Sequence, residues 1–82
     1  MELKDTIEMM QSDDFKERFK AEYKQTKIRY EKLHKTLIKA EAGKLNFTPS
    51  CPISLLKDQA HHMGMYLYCL EVRAEYEGID LC

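Results

Sequence analysis

The sequence predicts an all-α fold: a long antiparallel two-helix hairpin with a short N-terminal helix, assembled as a homo-oligomer. Three observations predict it. Apolar residues recur at helical spacing through two long segments. Gly43, Pro49 and Pro52 cluster between those segments, where a chain reversal belongs. The second segment carries two apolar stripes, and a partner helix in one hairpin covers only one of them.

The 82 residues make a single domain, 1–82. It divides into an N-terminal segment 1–13, helix one 14–42, a loop 43–52 and helix two 53–78. A core of this size contributes only about 3–5 kcal/mol of net stability. Disulfides are a poor source of more, because Cys51, Cys69 and Cys82 are odd in number and have no short paired spacing. No apolar run resembles a signal peptide or a membrane span, so a reducing cytosol is expected. The sequon at Asn46 then goes unused. Association is left as the source of added stability.

In residues 2–11, Leu3, Ile7 and Met10 stand at helical spacing and predict a short helix. Asp14 is the expected cap of helix one, with Glu17 three residues on as in a capping box. Phe15, Phe19, Tyr23, Tyr30, Leu33, Leu37 and Ala40 then form one stripe, with Thr26 filling its gap. Gly43 suits a left-handed C-terminal position. Leu45 and Phe47 are the expected apolar anchors of the loop. Pro52 is expected at the first turn of helix two. Ile53, Leu56, Ala60, Met63, Leu67, Leu70 and Ala74 alternate steps of three and four, a coiled-coil-like seam facing helix one. Gly78 ends the helix. Leu55, Met65, Cys69, Val72 and Tyr76, joined by Tyr66, form the second stripe. Ile28 and Ile38 lie off the main stripe of helix one. An exposed stripe of this length calls for another surface to cover it.

The net charge of −1 argues against a general nucleic-acid binder, but it is unevenly spread. Residues 16–44 are basic and both flanks are acidic. The ordinary reading is charge complementarity between the helices, and the alternative is an anion-binding surface. Lysines beside Tyr23 and Tyr30 suit a phosphate and a stacked base, although solvated lysines beside core tyrosines give the same pattern. Arg73 is the only arginine of helix two and lies between its two stripes. An inter-subunit salt bridge, a bound phosphate and a snorkelling side chain all fit that place.

Catalysis finds no support. His61 and His62 are adjacent and diverge by about 100° on a helix, and neither they nor His34 has a Cys or carboxylate partner at metal spacing. No nucleophile with its base is apparent; Cys51 is a weak candidate and Cys69 reads as packing. No cofactor is implied.

The residues also carry a resemblance. Helix one reads Phe15, Arg18, Phe19, Glu22, Tyr23, and helix two reads Leu55, Leu56, Gln59, Met63, Tyr66, Leu70, Arg73. Over residues 15–78 this resembles small proteins from phages of gut bacteria, including relatives of crAss-like phages. It is similar to the helical-hairpin domain shared by phage anti-CBASS and anti-Thoeris proteins. The longer loop around Asn46–Cys51 and the N-terminal segment depart from that pattern. The resemblance implies a homo-oligomer, often a hexamer, acting in the cytoplasm of an infected bacterial host. It implies a sponge that binds a cyclic nucleotide second messenger of bacterial immunity, a cyclic oligonucleotide or a cyclic ADP-ribose type, without cleaving it. Phe15, Arg18, Tyr23, Lys32, Tyr66 and Arg73 are the expected ligand-binding residues. Two helices in contact leave no nucleotide-sized cavity, so the pocket is expected between subunits. The alternative function is an oligomeric protein-interaction module with no small-molecule ligand. A third is a nucleic-acid-binding accessory protein. No membrane partner is expected.

Overall fold

The computed structural model describes residues 2–81. A 3-10 turn, Leu3–Thr6, runs into α1, Ile7–Met10; α2 spans Phe15–Glu41 and α3 spans Ile53–Glu77, with no strand among the described residues. α2 and α3 pair as the expected antiparallel hairpin in a body of 43 × 25 × 19 Å. Arg73 over Phe19, Tyr23 to Glu71, Gly64 beside Tyr30 and Lys57 to Glu41 mark successive levels from the open end to the loop.

The helix ends follow local chemistry. The Asp14 carboxylate accepts from the Lys16 amide at 2.9 Å and caps α2. The reciprocal half of the expected capping box does not form. Ser12 Oγ accepts from the Asp14 amide at 3.1 Å, which is the bond Glu17 would have made, and Glu17 pairs with Lys20 instead. At the other end Gly43 has φ 70°, its amide bonds to Ala40 O and the Lys44 amide bonds to Lys39 O. These paired bonds and the left-handed glycine make a Schellman motif, which satisfies the last carbonyls of the helix. Pro52 falls one position earlier than expected. It is the extended N-cap of α3, and its carbonyl accepts from the Leu55 amide at 3.1 Å.

Gly78 ends α3 at φ 67°, and the Ile79 amide returns to Ala74 O at 2.9 Å. That reversal drops Ile79 into the core. The core sits at the open end of the hairpin, from Phe19 and Tyr23 of α2, Leu67, Leu70 and Ala74 of α3, and Ile79, with Tyr30 and Leu81 packed against it. The expected seam of α3 therefore holds, and its buried members are Ala60, Leu67, Leu70 and Ala74. Toward the loop, Tyr30, Leu33 and Leu37 face Ile53, Leu56 and Met63, and all are only half-buried. Two helices cover a side chain on one side; the open end is better filled because the tail adds a third wall.

The short N-terminal helix forms, and one expected apolar anchor, Phe47, is corrected. Ile7 and Met10 are exposed, because the N-terminal segment turns Leu3, Thr6 and Met9 inward instead. Its docking is polar. The fully buried Thr6 hydroxyl donates to Leu3 O at 2.7 Å and accepts from Gln25 Nε2 at 2.8 Å. Phe47 is 56 % exposed and anchors nothing within the hairpin, whereas Leu45 is half-buried. Cys51 and Cys69 are free thiols, and Cys82 lies outside the described residues.

Candidate functional site

Arg73 gathers the most chemistry. Its guanidinium lies 4.8 Å from the Phe19 ring centroid and 5.9 Å from that of Phe15, and the two rings are 6.1 Å apart. Arginine suits this place because its flat, weakly hydrated cation stacks on aromatic faces. Arg73 Nε donates to Glu77 Oε2 at 2.7 Å, one turn on. That hydrogen bond pushes the Arg73 pKa above the ordinary arginine value; partial desolvation opposes it, and the charges of Glu77 and Glu22 reinforce it. Among the described residues Nη1 and Nη2 make no further hydrogen bond, and the side chain is about half exposed. Tyr66 closes the cluster by donating to Glu22. A permanent cation is thus held on an aromatic platform near two carboxylates, with its side chain about half exposed. An incoming phosphate must compete with Glu77 for it.

The six expected ligand residues are only partly brought together. Phe15, Arg73 and, through Glu22, Tyr66 converge at the open end of the hairpin. Arg18 turns away and donates from Nη1 to Ser12 O at 2.7 Å, holding the entry to α2. Tyr23 lies in the core. It is 5 % exposed and donates to Glu71 Oε2 at 2.6 Å. Lys32 is exposed and lies fourteen residues beyond Arg18, about 21 Å along a helix axis, so one protomer cannot aim both at one small ligand.

Sequence reasoning missed Phe19, Glu22 and Glu77 as partners of Arg73. The signal was present: Glu77 stands four residues after Arg73, the spacing of a helical ion pair. It also missed the tail. The described residues after Gly78 frame two clefts beside Tyr23, each walled in part by the tail and not by the two helices alone. One, about 280 Å³, is lined by Tyr23, Lys24, Lys27, Ile28, Glu31 and Leu81. The other, about 360 Å³, is lined by acids and apolar groups, including Glu71, Glu75, Asp80 and Ile79. An apolar residue just past a Schellman glycine is the cue that would have found them.

Charge complementarity between the helices is not how the basic segment is used. Among the lysines and arginines of α2, only Lys20 forms an ion pair, with Glu17 of its own helix. The one ion pair between α2 and α3 runs the other way, from Lys57 of α3 to Glu41 of α2 at 3.6 Å. The acids of α3 meet a tyrosine instead, at Tyr23–Glu71. The second stripe of α3 is also uncovered: Leu55, Met65, Tyr66, Cys69, Val72 and Tyr76 are exposed, and Tyr68 joins them. Among the described residues no three His, Cys, Asp or Glu side chains are grouped to hold a metal, and no helix is long and apolar enough to cross a membrane.

The Sequestin family model matches residues 13–76. The chain belongs to the Sequestin family. The match takes in all of α2, the loop and all but the last residue of α3, so it covers the hairpin and the Arg73 cluster except Glu77. No curated protein and no solved structure matches the chain. The family name suggests sequestering a molecule, and binding rather than catalysis.

Proposed function

We propose that this Sequestin-family chain is a phage anti-defence sponge. It binds a cyclic nucleotide immune second messenger, a cyclic oligonucleotide or a cyclic ADP-ribose type, and withholds it uncleaved in the cytoplasm of the infected host. The observation that carries this reading is the basic face of α2, where among the described residues only Lys20 has a carboxylate partner and Phe15 is exposed at the helix start. A face dominated by one sign of charge raises the local concentration of an anionic ligand. Phe15, Tyr66 and the half-exposed Arg73 supply stacking and a phosphate fork, and Arg18 and Lys32 supply cations from other copies. The pocket forms where protomers meet through the exposed stripe of α3, because Lys32 and Arg73 do not converge within one.

That stripe also favours a second reading, an oligomeric interaction module with no small-molecule ligand. A thermal-shift panel of cyclic di- and trinucleotides and cyclic ADP-ribose isomers separates the two. A sponge melts higher with at least one messenger and releases it chemically unchanged on denaturation. No shift across the panel supports the interaction module, and chromatographic conversion of a messenger by the pure protein overturns both.

A further inference from the structure

The tail-framed cleft on the basic side is a different place from the Arg73 cluster and involves different chemistry. α2 presents Lys24 and Lys27 three residues apart, on one face, toward it. The Lys27 ammonium stands 5.6 Å from the Tyr23 ring centroid, and among the described residues neither lysine has an ion-pair partner although Glu31 lies four residues after Lys27. Ile28 and Leu81 give the cleft apolar walls. Leu81 and Tyr23 also line the neighbouring acidic cleft, so they stand between the two lysines and the carboxylates of Glu71 and Glu75. A small molecule entering here meets two ammonium groups, the Glu31 carboxylate, a tyrosine and two aliphatic side chains, all from one protomer.

We propose that this cleft is a second, intraprotomer binding site for a compact organic monophosphate. The phosphate takes charge-assisted hydrogen bonds from Lys24 and Lys27, and a flat or apolar body lies against Ile28 and Leu81. The acids across the tail repel the phosphate and fix its direction. A volume of about 280 Å³ lies just below the usual range for ligand pockets, which suits a compact monophosphate ester better than a cyclic dinucleotide. The site needs no second copy, so its occupancy is one per chain whatever the assembly, and it stands or falls separately from the messenger-binding reading.

The test uses the full chain, isotope-labelled, titrated with phenyl phosphate and separately with inorganic phosphate while amide resonances are followed. Saturable shifts centred on Lys24, Lys27, Ile28 and Leu81 are expected, with phenyl phosphate binding more tightly than inorganic phosphate. Lys24→Ala and Lys27→Ala each weaken phenyl phosphate about tenfold, and Lys39→Ala, at the far end of α2, leaves it unchanged. Leu81→Ala weakens phenyl phosphate without changing inorganic phosphate. Circular dichroism on each variant verifies that the fold is kept. Non-saturating shifts, shifts centred elsewhere, or affinity unmoved by both lysine variants overturn the proposal.

Discussion

Gly64 lies where Tyr30 packs against α3, and a Cβ there stands 3.4 Å from the ring, at the near edge of ordinary contact. Gly78 has open space around it but a φ of 67°. Alanine therefore has opposite effects at the two positions. Gly64→Ala gains helix propensity and contact, and stability in a urea titration rises by about 0.5–1 kcal/mol. Gly78→Ala forces a left-handed residue with a side chain, and stability falls by about 1 kcal/mol. Arg73 has a similar two-sided logic. Its Nε is occupied by Glu77, and Glu22 adds a second negative charge, so the cluster as it stands is a guarded cation. In the proposed sponge, Arg73→Ala weakens messenger binding by about 1.5–3 kcal/mol in isothermal titration while the oligomer persists. Glu77→Gln does the reverse and tightens binding, because a neutral amide no longer competes with phosphate. Unchanged affinity in Arg73→Ala, Lys32→Ala and Arg18→Ala together removes the site assignment and leaves the fold intact.

At the scale of elements, periodicity revealed what apolar burial controls. The seam of α3 from Ile53 to Ala74 faces α2, and Gly43 and Gly78 stop the helices as their conformational freedom requires. Polar docking was not legible. Thr6 and Gln25 carry no hydrophobic signal, yet they join the N-terminal segment to α2 through a fully buried hydroxyl. Thr6→Val keeps the shape and removes both bonds, leaving the Gln25 amide with Met10 Sδ alone and the Leu3 carbonyl short of a partner. A loss of about 1–3 kcal/mol is expected. Amide hydrogen exchange is the measurement, with protection lost in 3–11 and largely kept in α3. Equal loss throughout shows instead that the segment is part of one cooperative unit. The Arg73 cluster was half legible: the arginine stood out by its solitude, whereas its neighbours Phe19 and Glu22 come from the other helix and depend on hairpin register. Tyr23 carried both a core and a ligand reading, because an aromatic beside lysines looks the same whether it faces ligand or core.

The whole molecule is packed unevenly. The end holding Phe19, Leu70, Ala74 and Ile79 is closed, while the loop half and the outer face of α3 leave large apolar groups in water. Tyr76 is 88 % exposed and Tyr68 66 %, and with Met65, Cys69 and Val72 they form one continuous stripe at helical spacing. A stripe of this kind is self-complementary when two copies meet about a twofold axis, which is how closed assemblies form. The proposed assembly predicts a mass above that of a single chain in light scattering of dilute protein. Val72→Asp places a carboxylate in the middle of the stripe. In a separate chain that residue faces solvent and costs little, so helicity at low temperature is kept. In the assembly it is buried without a partner, at a cost of several kcal/mol. The mass of the variant therefore falls to that of one chain, and its melting temperature stops rising with protein concentration, as it does for the parent. A parent protein that is monomeric and well folded when dilute defeats the assembly and, with it, the pocket shared by Arg73 and Lys32. The one-chain cleft at Lys24 and Lys27 is indifferent to that outcome, so measuring mass and phenyl phosphate binding on the same variant separates the two sites.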